Sequence, residues 1–220
     1  MQVEPAPEQV KTRIYLALVA TFLTALLIAD VTAGKFFQAG SLSISVGIIP
    51  FPITFVLTDM VNEYYGREGA RLMTAVGAAM LVFAFVLITV ARVLPAAENS
   101  PIPQASFVAV FGMSWRFFGA SLGAFVLGQF ADIQAFHAVK RITQSRLLWL
   151  RATGSTAISQ VVDTFFVNVA ALAGLVAAGN IAKIIAVSYA YKMAVAILLT
   201  PLLYAAHGFF TARFWLVAAP

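Results

Sequence analysis

Six long apolar stretches, separated by short polar or basic clusters, run through the chain at approximately residues 12–37, 49–66, 70–94, 107–140, 152–178 and 181–212. An α-helix needs ~20 mostly apolar residues to cross a hydrocarbon core ~30 Å thick, so the pattern predicts six membrane-spanning helices. The third is the cleanest, with no charge from Leu72 to Ala91, and the fourth is long enough to project from the bilayer at its basic end. Between the first two stretches the period changes. Ser41-Leu42-Ser43-Ile44-Ser45-Val46-Gly47-Ile48 alternates polar with apolar, the signature of extended chain. Unpaired extended backbone cannot face lipid, so this segment is expected either to form a short hairpin at the outer surface or to dip into the bundle against a polar cavity. The second helix, starting near Pro50, is then only about 24 Å long at ~1.5 Å per residue, short for a full crossing. Shortened helices beside re-entrant backbone are a common way of placing polar groups at midplane depth.

Composition agrees with this pattern. Residues are 61% hydrophobic and 10% charged, 19 are Phe, and the mean hydropathy is +0.92, which describes a chain whose solvent is mostly bilayer. The expected fold is an all-α integral membrane protein, one six-helix transmembrane domain over residues 1–220 with no separate soluble domain. The sequence has no Cys, which excludes disulfides, thiol nucleophiles and thiolate metal sites; two histidines, His137 and His207, make a poor zinc site. No nucleotide-binding loop, HExxH or GxSxG occurs, so no catalytic residue, cofactor or metal is expected. A hydrolytic dyad such as Asp59 with Asp163 would make an intramembrane enzyme, but no nucleophile-and-base pattern accompanies it.

The net charge of +5 does not point to nucleic acid, because the basic residues sit between the apolar runs. Lys11, Arg13, Arg67, Arg71, Lys140, Arg141, Arg146, Arg151 and Arg213 fall in the termini and alternate connections, against only Arg92 and Lys183 in the others. By the positive-inside rule both termini are then cytoplasmic, as an even number of crossings requires. The first apolar run continues into Asp30 and Lys35 without a suitable cleavage site, unlike a cleavable signal peptide.

Ionisable residues inside the spans are costly, at least ~2.5 kcal/mol each on insertion scales, and usually face a cavity, a partner or a transported molecule. Asp30, Asp59, Asp132 and Asp163 are intramembrane acids, Glu63 lies at an inner helix end, and Lys35, Arg116 and Lys192 are intramembrane bases. Their spread over at least five helices points to a shared water-accessible site, with static salt bridges as the alternative. Neighbours three or four apart share a helix face: Asp59, Asn62 and Glu63; Gln129 and Asp132; Thr156, Gln160 and Asp163, with Ser155 beside them; Tyr189 and Lys192. Each charge therefore sits beside an amide, hydroxyl or phenol, which suits a neutral, planar, multiply hydrogen-bonding ligand better than a bare ion.

Two faces of small residues, Ala25, Ala29 and Ala33 on the first helix and Ala120, Ala124 and Gly128 with Gly119 and Gly123 on the fourth, permit close helix approach. They serve packing within one bundle, a homodimer or a partner-subunit contact. Ala29-Asp30-Val31 is echoed by Ala131-Asp132-Ile133, and Thr58-Asp59 by Asp163-Thr164, a pattern consistent with three helices per inverted half.

Longer motifs add a resemblance. Pro50-Phe51-Pro52-Ile53-Thr54-Phe55, Thr58-Asp59, Asn62-Glu63-Tyr64-Tyr65-Gly66, Trp149-Leu150-Arg151-Ala152-Thr153-Gly154-Ser155-Thr156 and Gln160-Val161-Val162-Asp163-Thr164 resemble the queuosine precursor transporter family, also called the vitamin uptake transporter family. Gly128-Gln129 with Asp132, Tyr189 with Lys192, and Thr200-Pro201 with Tyr204 agree, so the likeness covers roughly residues 14 to 212.

This resemblance implies an inner-membrane importer of the 7-cyano and 7-aminomethyl 7-deazaguanine precursors of queuosine. On a guanine-like edge, Asp163 or Asp59 would accept from the ring N–H and amino donors, while Gln160, Asn62, Arg116 or Lys192 would meet the carbonyl oxygen. Phe rings would stack on the heterocycle. Gln129 and Ser155 complete the expected substrate site; Asp132, Asp30, Glu63 and Tyr189 are candidates for coupling or support, with proton exchange at Asp30 or Asp132 physically feasible. Alternating access is expected without an ATPase domain. The competing reading is a substrate-binding subunit of an energy-coupling-factor importer, docked through the Ala25, Ala29, Ala33 face.

Overall fold

Pro7 has no N–H to leave unsatisfied, and its extended backbone leads into helix α1, Glu8–Thr32. The computed structural model of the chain describes residues 7–39, 42–112, 115–143 and 148–214. Ser41 of the alternating stretch, Met113 and Ser114 of the fourth apolar segment and Arg146 of the basic connection lie outside those residues. Along α1, Thr21, Thr24 and Thr32 donate their hydroxyls to carbonyls one turn back at 2.7–2.9 Å, the usual way of hiding a hydroxyl where water is scarce.

The first segment was expected to stay helical to residue 37, but α1 ends at Thr32. Phe36–Ala39 (β1) pairs antiparallel with Leu42–Ser45 (β2), Phe36 opposite Ser45 and Gln38 opposite Ser43. Within the period-two stretch, where Val46–Ile48 is not extended, Leu42–Ser45 is therefore one strand of a hairpin whose other strand begins in the run expected to be helical. Ser45 locks it onto α1: its Oγ donates to the Ala33 carbonyl at 2.8 Å and accepts from the Gly47 N–H at 3.2 Å, opening a 3-10 turn, Val46–Ile48. Lys35, read as an intramembrane base, is exposed beside this hairpin.

Helix α2, Phe51–Tyr64, is short, as the pattern implied, and begins with Pro52 in its first turn, where a missing N–H does no harm. Every side chain from Thr58 to Tyr64 is buried. Gly66, at a φ of 65° that only glycine adopts readily, then starts α3, Gly66–Val93. The fourth segment carries α4, Gln104–Phe111, and α5, Trp115–Ile142. The fifth is α6, Leu148–Leu172. The sixth was expected to be one helix; it is two, α7 (Ala178–Leu198) and α8 (Thr200–Phe214). Pro201 explains the division, since its ring lacks the donor and clashes with the carbonyl four residues earlier.

Six stretches are long and apolar enough to cross a membrane: Glu8–Thr32, Val46–Tyr64, Gly66–Val93, Gln104–Ile142, Trp149–Leu172 and Ala178–Leu198. The protein is an all-α, multi-pass membrane protein. Tyr65 Oη donates to the Lys11 carbonyl and Tyr15 Oη to that of Gly69, both at 2.8 Å, while Tyr64 Oη lies 3.0 Å from Thr211 Oγ1. The start of α1, the α2–α3 junction and the end of α8 thus share one face of the bundle.

Phe22, Leu18 and Leu26 of α1, Met60 and Val61 of α2 and Met73 and Leu81 of α3 form the apolar core. Leu72, Phe83, Val86, Leu87 and Val90 of α3 are exposed, as a lipid-facing stripe should be. Parts of both small-residue faces are filled from within the chain: a Cβ on Gly47 would lie 2.6 Å from the Ala29 carbonyl oxygen and 3.0 Å from Ala33 Cα, and one on Gly123 would lie 2.5 Å from the Phe166 ring of α6, whereas Gly119 is exposed and meets no atom within 4 Å.

Gly47→Val should accordingly lower the detergent melting temperature, by the equivalent of about 1–3 kcal/mol for overpacking against backbone. Gly208→Ala, which meets no atom within 4 Å, should leave it unchanged or slightly raised.

Candidate functional site

α5 and α6 pack along most of their length, and small residues set how closely. A Cβ on Gly128 would lie 3.1 Å from Asp163 Cβ, so the absence of one lets the Asp163 side chain pass beside α5. Asp132 then faces both neighbours. Its Oδ1 accepts from Ser159 Oγ of α6 at 3.2 Å and its Oδ2 from Asn62 Nδ2 of α2 at 3.4 Å. One turn away, Gln129 Nε2 donates to Thr58 Oγ1 of α2 at 3.4 Å.

These contacts frame a partly open cavity. Asp59, Gln129, Asp132, Gln160 and Asp163 line it, with Thr54, Thr58, Thr156 and Ser159 between them and Phe22, Phe51, Phe55 and Phe125 as aromatic walls. Acceptors predominate. The buried amide oxygens of the lining residues Gln129 and Gln160 have no donor, and the Asp59 carboxylate accepts no hydrogen bond from a described side chain. A buried acceptor left unsatisfied costs about 1–3 kcal/mol, so the cavity is built for water or for a molecule rich in N–H donors. Asp163 alone among these acids is ion-paired, with Lys192 Nζ of α7 at 2.6 Å from its Oδ2. The same ammonium lies 5.0 Å from the centre of the Phe51 ring.

Toward the face that holds the start of α1 lies a second polar cluster. Arg151 Nη2 donates to Glu63 Oε1 at 2.6 Å, and Lys140 Nζ lies 3.9 Å from Glu63 Oε2, tying α2, α5 and α6 together in buried surroundings. Next to it Tyr64 Oη lies 2.6 Å from His207 Nδ1 of α8, with the two rings stacked. Sequence reasoning treated Lys140 and Arg151 as connection charges. They are helical and buried, and the signal that would have found them is Glu63, an acid at a buried helix end with no cation on its own helix.

Other candidates lie apart from the cavity. Arg116 is exposed and donates through Nε to the Ala170 carbonyl at 3.0 Å and through Nη2 to that of Ala173, closing the end of α6. Ser155 is buried and donates to Ala152 of its own helix. Tyr189 donates to the Ala157 carbonyl at 3.2 Å and docks α7 on α6. Asp30 accepts from Ser121 Oγ at 3.0 Å beside a separate, largely apolar cavity, an environment unlike that of Asp132. Thr58 and Ser159 were not named among the expected site residues, and Thr156 was placed only on the face of Gln160 and Asp163; all three line the cavity.

Residues 45–206 match the family described as "Putative vitamin uptake transporter". The chain belongs to this family. It is also 35% identical over 180 residues, 81% of this chain and 78% of the relative, to the "Probable queuosine precursor transporter" of Bacillus subtilis (strain 168). To the "Queuosine precursor transporter" of Escherichia coli (strain K12) it is 28% identical over 168 residues, 69% of this chain and 66% of that protein. No solved structure gives a significant match. Both relatives are named as transporters.

In this member of the vitamin uptake transporter family, Glu63→Gln should destabilise more than Arg151→Met. The first leaves two cations facing each other without their shared carboxylate, a loss on the scale of about 3–5 kcal/mol, whereas the second leaves Glu63 facing Lys140. Melting temperatures of the purified variants in one detergent check the order.

Proposed function

We propose that this protein imports queuosine precursors, the 7-cyano and 7-aminomethyl 7-deazaguanines, across the bacterial cytoplasmic membrane. The observation that carries the reading is the surplus of hydrogen-bond acceptors in an aromatic-walled cavity between α2, α5 and α6. A guanine-type edge presents a ring N–H and an amino group side by side, so one carboxylate accepts from both; Asp59 and Asp163 are the candidates. The Gln160 and Gln129 amides have both a donor and an acceptor end to offer the remaining edge, and Phe51, Phe55 and Phe125 supply stacking surfaces. Asn62, Asp132 and Ser159 hold these groups in place. The names of the two relatives point to the same chemistry.

Transport proceeds by alternating access around this site. Phe55, Asp59 and Thr156 also line a second cavity of about 280 Å³, which reaches Ala196, Leu199 and Thr200 at the break between α7 and α8. A thin partition beside a helix break is suited to opening one cavity while closing the other. The face that holds the start of α1 is cytoplasmic in this scheme, because Lys11, Arg13, Arg67, Arg71 and Arg141 gather there. Neither relative is named as part of an ATP-driven complex, and the α1 face suggested for docking such a partner is filled by Gly47 of this chain.

In cells unable to synthesise the precursor but supplied with it, the wild-type protein should restore queuosine to tRNA. Asp163→Asn and Asp59→Asn should reduce restoration at least tenfold, while Arg116→Ala should retain it. Equal restoration by all would remove the cavity from the mechanism. Purified protein alone in liposomes should move labelled precursor; tight binding without flux would favour the energy-coupling-factor reading instead.

A further inference from the structure

Asp163 presents a solvation problem that changes during a transport cycle. It lines the cavity together with Asp59 of α2 and Asp132 of α5, so three acidic side chains share one cavity. Asp132 is held by Asn62 and Ser159 whether or not the cavity is filled. Asp163 is held by Lys192, from a helix that does not line this cavity. The side chains of Asp163 and Lys192 are only 18% and 11% exposed, so neither charge is fully hydrated if the other leaves. A buried carboxylate stripped of its partner is strongly destabilising, whatever occupies the rest of the site.

A donor-bearing ligand that binds Asp163 competes with the ammonium for the same oxygens. Lys192 has somewhere to go, because its Nζ already lies over the Phe51 ring, where a cation is attracted by the aromatic face. It is also carried on a yielding element. Of the residues of α7 only Ile181 is buried, and the helix packs mainly on α6. Tyr189, one turn before Lys192, keeps a separate hydrogen bond to α6 and holds the helix near while the ion pair opens.

We infer that Lys192 is a tethered counter-ion that takes the ligand's place on Asp163 in the empty protein, allowing the unloaded bundle to reorient without a co-transported cation. This rests on the transport reading of the same cavity and adds the mode of coupling to it. Loaded, the carboxylate is satisfied by ligand donors; unloaded, by Lys192. A protein deprived of Lys192 returns only with ligand bound, because the empty form carries an unpaired buried charge through the rearrangement. It therefore becomes an exchanger.

The test compares two fluxes of labelled 7-aminomethyl-7-deazaguanine in liposomes containing the full chain: net uptake into empty vesicles, and exchange into vesicles preloaded with unlabelled compound. Lys192→Met should keep exchange within about twofold of wild type and lose net uptake by more than tenfold; Lys192→Arg, which retains the charge, should keep both. Persisting exchange also shows that the variant is folded. Net uptake surviving in Lys192→Met, or net uptake and exchange falling in the same proportion, overturns the counter-ion role. A wild-type protein that moves no precursor in either arrangement overturns the transport reading, and this role with it.

Discussion

A fourteen-residue helix that buries Thr58, Asp59, Asn62 and Glu63 cannot satisfy those groups from its own backbone, nor draw on lipid to do so. Each therefore requires a partner from a particular neighbour, and the partners decide the arrangement of the bundle. Thr58 meets Gln129, Asn62 meets Asp132, and Glu63 meets Arg151 and Lys140. Tyr64, at the end of the helix, meets His207 and Thr211. Helices packed only by apolar surface can slide or rotate by small steps, since one aliphatic contact resembles the next. α2 has no such freedom, because a step in either direction strands an amide or a carboxylate.

Asp59 is the exception on this helix, and the exception makes a site. Its neighbours along the chain are matched by residues on α5 and α6, whereas its own carboxylate looks into the cavity without a described donor. The opposing wall repeats the theme: Ser159 is spent on Asp132, while the Gln160 oxygen is left over. Structural and ligand-facing polar groups thus alternate along the same helical faces. A site of this kind is rigid where its supporting bonds are made, and it is receptive where they are missing.

The six spans were legible because lipid imposes a length and a composition that a sequence displays directly, and the hairpin was legible as a change of period. Less was visible where a single residue outweighs a run. Pro201 divides an apolar stretch that hydropathy reads as continuous, and α1 stops at Thr32 because Ser45, thirteen positions later, claims the Ala33 carbonyl. For the site, spacing placed Asp59, Gln129, Asp132, Gln160 and Asp163 on compatible faces, and all five line one cavity. It could not separate Arg116, whose guanidinium closes the end of α6, from a cation facing the cavity, because an arginine near a helix start reads alike in both settings. Nor could charge counting distinguish the buried Lys140 and Arg151 from solvated loop residues, since the rule that assigns sidedness weighs position along the chain and ignores burial.

Polar pairing also predicts which part of the bundle yields. α2, α5 and α6 are joined through Asp132 and Glu63, and the Glu63 contacts lie outside the cavity. α7 is joined to them by Tyr189 and by the Lys192–Asp163 pair, and the second of these lies where a ligand would compete. α8 continues beyond the break and is anchored at its far end by Tyr64. Under the proposed transport reading, α7, with one of its two polar contacts to α6 open to competition and a proline break at its end, is the element suited to pivot. In the proposed transport cycle α7 is therefore the helix whose displacement disturbs the fewest polar contacts, whereas separating the α5–α6 pair would break those of Asp132.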